Sequence, residues 1–228
     1  MLKENERLES LNIKDYKILQ NSTLYCFTSD SVILSKFAKA KKGDIVADIC
    51  SGSGIVGLHF YALNDSIIKS VTLFELQEEL AEMSQRSIEL NNLQNKFSVV
   101  QGRLQDTAID YKEKFSLITC NPPYKKANTG EVNLTKSLAI ARHEVEITQQ
   151  EILNKSAYML KNGGRICICQ RVERFLELLE DIKNAKLKVS QIQFVTPSET
   201  GKPYLVLVEA YKGINRQLKV LENYVNKG

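Results

Sequence analysis

With 228 residues, 43% of them hydrophobic and 25% charged, the chain reads as one globular domain, or one domain with a small appendage, long enough to build a core without staples. Its 31 Lys and Arg against 27 Asp and Glu leave a net charge of +4, which admits a nucleic-acid partner without requiring one. The charged opening Met-Leu-Lys-Glu-Asn-Glu-Arg is unlike a signal peptide and no apolar run nears the ~20 residues of a membrane span, so a cytoplasmic protein with no membrane partner is expected.

Residues 1–43 read as an N-terminal extension. A short helical lead is followed by small strands over 16–20 and 24–27, joined by Asn21-Ser22-Thr23. Ser29 or Asp30 can cap the next helix, which has a core face of Val32, Ile33, Leu34, Phe37 and Ala38 and a stop at Gly43. From residue 44 to 211 strand and helix alternate. Strands are expected over 45–50, 70–75, 97–100 and 115–120, with helices over 55–63 and 77–91 between them. A polar, lysine-containing loop follows Tyr124, then a helix over 149–160 that Gly163-Gly164 stops. A strand over 165–170 and a helix over 172–184 precede two last strands, 189–196 and 204–211. Their link from Pro197 to Pro203 is too short for a crossover helix, so this pair is antiparallel. Residues 212–228 are expected to form a C-terminal helix. The pattern is that of an α/β fold, a mostly parallel sheet flanked by helices with its last strand reversed.

Cysteine and histidine usage points away from a metal. Cys26, Cys50, Cys120, Cys167 and Cys169 form no Cys-x-x-Cys pair, and most lie in apolar runs where a thiol behaves as a small hydrophobe. His59 and His143 are the two histidines, so no metal site is expected. Basic residues cluster at Lys36, Lys39, Lys41 and Lys42, at Lys125 and Lys126, and at Lys212, Arg216, Lys219 and Lys227. Each cluster is either a phosphate-binding face or a solvated one.

Two motifs carry chemistry. Asp48 to Gly57 reads D-I-C-S-G-S-G-I-V-G, a G-x-G-x-x-G turn between a strand and a helix. Gly52 and Gly54 let a ligand lie against the backbone. Nicotinamide enzymes use the same glycines around a pyrophosphate, but Asp48, four residues before Gly52, suits a cationic amino-acid end better than a diphosphate. Glu75, closing the second core strand, can accept two ribose hydroxyls. Asp106, or the backbone near Gly102-Arg103-Leu104, can meet an adenine.

Asn121-Pro122-Pro123-Tyr124 follows a buried strand. Its two prolines neither donate hydrogen bonds nor continue a sheet, so the chain is stiff there. An adenine amino nitrogen is a poor nucleophile because its lone pair is delocalised into the ring. The Asn121 side-chain oxygen and the Pro122 carbonyl can bind its two hydrogens and turn the lone pair outward, a gain from positioning alone. Tyr124 offers a stacking face worth roughly 1–3 kcal/mol, and the base must be unpaired or flipped to reach it. Arg142-His143-Glu144 follows, with Arg142 either on phosphate or on solvated surface and His143 a capping residue.

These motifs resemble class I S-adenosylmethionine-dependent methyltransferases, and within them the Asn-Pro-Pro-Tyr adenine-N6 branch. Phe27-Thr-Ser-Asp-Ser-Val-Ile-Leu34, Ile140-Ala-Arg-His-Glu144 and Ile192-Gln-Phe-Val-Thr-Pro197 extend the likeness, over nearly the whole chain, to bacterial valine-tRNA adenosine-37 N6-methyltransferases. The resemblance implies a Rossmann-like sheet of seven strands and S-adenosylmethionine as cofactor. By motif position the cofactor residues are Asp30, Asp48, Ser51, Gly52, Gly54, Glu75, Asp106 and Asn121, and the catalytic ones Asn121, Pro122 and Tyr124. It also implies RNA as partner, through a tRNA anticodon-loop adenosine. The sequence leaves the oligomeric state open, with a monomer favoured. Two departures stand out: Arg103, where relatives commonly carry an acidic residue, and Gln170-Arg171-Val172-Glu173-Arg174, in place of a His-Arg-Pro-like run. The Asn-Pro-Pro-Tyr motif alone fits RNA adenine, DNA adenine and protein glutamine. The residues before Asp44 are too few and too strand-like for the helical domain of glutamine methyltransferases.

Overall fold

A computed structural model describes residues 2–124 and 146–227. A hairpin of β1 (Glu6–Ser10) and β2 (Lys17–Asn21) leads into α1 (Ser29–Phe37). The alternating core follows as β3 (Ile45–Ile49), α2 (Ile55–Asn64), β4 (Ser70–Glu75), α3 (Glu78–Leu90), β5 (Phe97–Gln101), the one-turn α4 (Leu104–Thr107) and β6 (Phe115–Cys120). After the undescribed stretch come α5 (Gln149–Met159), β7 (Leu160–Arg171), α6 (Phe175–Asn184), β8 (Leu187–Thr196) and β9 (Leu205–Lys212). Strands β5, β4, β3, β6 and β7 lie side by side in that order and run parallel, and β9 is antiparallel to both β7 and β8. These seven strands, one of them reversed, form the mostly parallel core that was expected, but they are not the whole sheet.

Both faces of the sheet are covered, which is why its strands read as continuous apolar runs. All six residues of β6 are buried. One core layer joins Val46, Leu117, Val71 and Leu73 to α1 and α2; the other joins Ala47, Ile49, Ile118 and Cys120 to Ile152 and Leu153 of α5 and to Leu178 and Ile182 of α6. Helix α2 is buried from Ile55 to Ala62, as its apolar circumference requires.

The peripheral elements depart from expectation. The expected helical lead is strand β1, residues 24–27 are not a strand, and α1 starts without a side-chain cap from Ser29 or Asp30 and ends at Phe37, before Gly43. The expected C-terminal helix is replaced by β10 (Lys219–Val220) and β11 (Tyr224–Val225), both parallel to β8. Ile214, Leu218, Leu221 and Val225 recur at helical spacing, but β8 offers backbone partners: the amides of Leu221 and Asn226 donate to Ile192 and Thr196 at 2.8 Å each. Pairing there outweighs local periodicity. The sheet thus has nine strands among the described residues. Gly163 and Gly164 lie inside β7 rather than after a helix, where the register against β6 shifts between Phe115 and Leu117. A Cβ on Gly164 would meet the Lys161 and Phe115 carbonyls at 2.9 and 3.1 Å, so this irregularity needs glycine.

At the N-terminal ends of the parallel strands, Arg165, 1% exposed, pairs with Asp44 at 2.8 Å and donates to the Lys39 carbonyl. The Arg165 guanidinium and the Ser116 hydroxyl hold the Asp44 carboxyl below its ordinary range, against burial. Lys41 and Arg216 sit over the ring of Tyr211 nearby, and Lys212 pairs with Glu113 at 3.2 Å. Among the described residues no helix is long and apolar enough to cross a membrane, and no group of His, Cys, Asp and Glu could hold a metal.

Candidate active site

The site forms where the parallel strands end. Strands β3 and β6 are neighbours with Ile49 opposite Cys120, so the turns that leave them, Cys50 to Gly54 and Asn121 to Tyr124, are adjacent by register. Both line one cleft of about 620 Å³, an ordinary size for a small-molecule site.

The glycine turn is tight. Cys50, Gly52 and Gly54 all have positive φ, at 56°, 58° and 85°, and the Gly54 amide donates to the Ser51 carbonyl at 2.8 Å. A Cβ on Gly54 would lie 2.9 Å from Leu73 Cδ1, which welds the turn to β4. Asp48 is fully buried beneath it. Its carboxylate accepts from the Gly57 amide at 3.0 Å and the Thr119 hydroxyl at 2.7 Å, and burial pushes its pKa up to about 7. Asp48 therefore holds the start of α2 and does not line the cleft, contrary to its expected place on a cationic ligand end. Glu75, at the end of β4, does line the cleft. It accepts from the Gly52 amide at 2.8 Å and the Gln77 amide at 2.9 Å, with burial raising its pKa. Gln20 of the hairpin bonds Ser53 at 2.5 Å and the Phe27 amide at 3.1 Å, so the N-terminal extension closes on the turn.

Opposite the turn, Asn121 donates from its amide nitrogen to Ser31 Oγ at 2.9 Å. Its Oδ1 accepts from the Tyr124 hydroxyl at 2.6 Å and the Cys169 thiol at 3.1 Å. Pro122 and Pro123 are buried and line the cleft. Asp30, in the first turn of α1, faces the Tyr124 and Tyr204 hydroxyls at 3.3 and 3.4 Å and the Arg171 guanidinium at 3.6 Å. Burial, together with the nearby Cys169 and Asp30, raises the Tyr124 phenol well above its ordinary range, so it stays a protonated donor.

Of the expected residues, Asp30, Ser51, Gly52, Glu75, Asn121, Pro122 and Tyr124 line the cleft together. Gly54 shapes it from behind. Asp106 is exposed and off the cleft wall, whereas Gly102, Arg103 and Leu104 are on it. Lys125, Lys126, Arg142, His143 and Glu144 lie outside the described residues. Arg171, Tyr204 and Cys169 join the site without a role assigned from the sequence, which marks Arg171 only within an atypical run and Cys169 only as a thiol in an apolar strand. Arg171 ends β7, next to β6, and the rule that ligands sit at the carboxyl ends of parallel strands would have marked it.

The family described as Methyltransferase small domain matches residues 27–194. The tRNA1(Val) (adenine(37)-N6)-methyltransferase of Shewanella baltica (strain OS185) is 27% identical over 184 residues, covering 78% of this chain and 75% of its own. Its namesake in Flavobacterium psychrophilum is 20% identical over 215 residues, covering 92% and 90%. A crystal structure titled as a predicted O-methyltransferase from Agrobacterium tumefaciens superimposes with a TM-score of 0.66 at 18% identity over 86% of each chain, a likeness of fold.

Proposed function

The chain belongs to the Methyltransferase small domain family, and on that premise we propose that it transfers the methyl group of S-adenosylmethionine to the exocyclic N6 amine of an adenine in tRNA. The curated relatives named for adenine 37 of tRNA1(Val) support that position as the acceptor, and a cytoplasmic place of work goes with such a substrate. The observation that carries the reading is the shared cleft, with the glycine turn on one wall and Asn121 to Tyr124 on the other.

The wall residues fit the cofactor. Ser51 Oγ is buried with no hydrogen-bond partner among the described residues, Gly52 puts no side chain into the cleft, and Glu75 keeps carboxylate lone pairs for a ribose beyond those its two backbone amides use. When bound, S-adenosylmethionine supplies a methyl group activated by its sulfonium. The protein's share is positioning. The Asn121 oxygen and the Pro122 carbonyl take the two amine hydrogens and rotate the lone pair out of conjugation, and Tyr124 supplies a ring against which the base lies. Asp48 acts at one remove, through the Gly57 amide and the turn.

Incubation with unmodified tRNA and tritiated S-adenosylmethionine, followed by nucleoside mass spectrometry, tests this. The expected product is N6-methyladenosine at position 37 of valine tRNA. Cofactor binding with no transfer to any tRNA would leave a scaffold that holds RNA without turnover.

A further inference from the structure

Arg171 stands at the mouth of the cleft, its side chain 40% exposed. Its guanidinium carbon lies 4.7 Å from the centroid of the Tyr124 ring and 5.6 Å from that of Tyr204. A base stacked on the covered face of Tyr124 cannot share that volume. On the reading that the acceptor is an RNA adenine, we propose that Arg171 is a substrate-admitting residue: it covers the Tyr124 stacking face until the target base arrives, then swings aside to bind the RNA phosphate next to that base.

Three observations carry this. The hold on Arg171 is loose. Its ion pair with Asp30 is at 3.6 Å, longer than the roughly 2.7–2.9 Å of a charge-assisted hydrogen bond. Its neighbour Arg174, by contrast, is fixed, donating to the Tyr124 carbonyl at 3.1 Å and to Glu177 at 2.5 Å. Second, Asp30 is not stranded when the guanidinium leaves, because the Tyr204 hydroxyl, which accepts from Asn226, still donates to its carboxylate at 3.4 Å. Third, a flipped nucleotide brings a phosphate to the mouth of its pocket, and a planar five-donor cation matches phosphate geometry better than it matches one distant carboxylate oxygen.

The test is steady-state methyl transfer to an anticodon stem-loop at several salt concentrations, with cofactor affinity measured by calorimetry. Arg171→Ala is expected to raise KM for RNA at least tenfold and to leave kcat within about twofold. It should also flatten the logarithmic salt dependence of kcat/KM by about one ion, with cofactor affinity within about twofold. Arg171→Lys is expected to keep the salt dependence. Arg171→Gln, which keeps the length and removes the charge, gives the same answer should the alanine variant fail to fold. Unchanged KM and salt dependence in the neutral variants would overturn the inference. So would a loss of kcat at constant KM, which would make Arg171 a structural pin for Asp30. Failure of the wild-type protein to methylate any RNA would remove the acceptor reading and this inference together; normal wild-type transfer with indifferent variants removes this inference alone.

Discussion

Asn121 Oδ1 has two lone pairs, and in this structure the Tyr124 hydroxyl and the Cys169 thiol take both. Burial pushes the Cys169 thiol up to about 12, so it remains a neutral donor. An amine entering the site therefore displaces one of these weak partners rather than a charged one. Asn121→Ala is expected to lower kcat about a hundredfold or more with little change in cofactor affinity, read by single-turnover transfer and calorimetry. Tyr124 separates ring from hydroxyl. Tyr124→Phe keeps the stacking surface and should reduce kcat less than about tenfold, while Tyr124→Ala forfeits roughly 1–3 kcal/mol of stacking, a KM for RNA raised about 5- to 150-fold. At this scale the sequence was most legible where one short stretch holds the whole device, as at Asn121 to Tyr124. It was least legible for Asp48, whose partners Gly57 and Thr119 lie 9 and 71 residues away, since a carboxylate at a strand end reads equally as ligand or as turn support.

Helix α2 depends on its entry. Gly54 is left-handed and pressed against Leu73, so Gly54→Ala adds backbone strain and a collision in a closed core. Together these are worth about 2–4 kcal/mol, visible as a lower urea midpoint. Farther along α2, His59 is 4% exposed and its Nδ1 meets the Ser35 hydroxyl of α1 at 2.7 Å; burial, with Lys36 assisting, lowers its pKa to about 4. That value lies below the ~6.5 of an unfolded histidine, so the unfolded chain takes up the proton first and stability falls as pH drops from about 6.5 toward 4. Between pH 7 and 5 this is worth about 2 kcal/mol. His59→Gln should remove that part of the pH dependence in thermal melts, and an equal slope in variant and wild type would count against it. Core elements were readable because two-sided burial writes apolar runs into β3, β4 and β6. The capping box at Thr148 and Glu151, which starts α5, was also open to reading as T-x-x-E. The terminal pieces were not, since β1 is polar and solvent-facing and the tail takes its conformation from β8.

Across the whole molecule, charge and chemistry occupy different ends. Lys41, Lys212 and Arg216 gather around Tyr211, Glu113 and the Arg165–Asp44 pair, at the ends of the parallel strands opposite the cleft. Lys41, Lys212 and Arg216 thus serve packing, while Arg171, outside the clusters named from the sequence, stands at the site. The tail runs the other way: Asn226 donates to Ser29 Oγ at 3.0 Å and to the Tyr204 hydroxyl at 2.8 Å, reaching the group that surrounds Asp30. On its way it lies along β8, and this has a further consequence. Without residues 214–228, the outermost long strand would present a row of bare amides and carbonyls, a template for a second chain. A protein shortened to residue 213 should shift toward larger species by light scattering, while the full-length chain at the same concentration does not. The last few residues would then act as a selvage, the finished border that stops a weave from joining its neighbour.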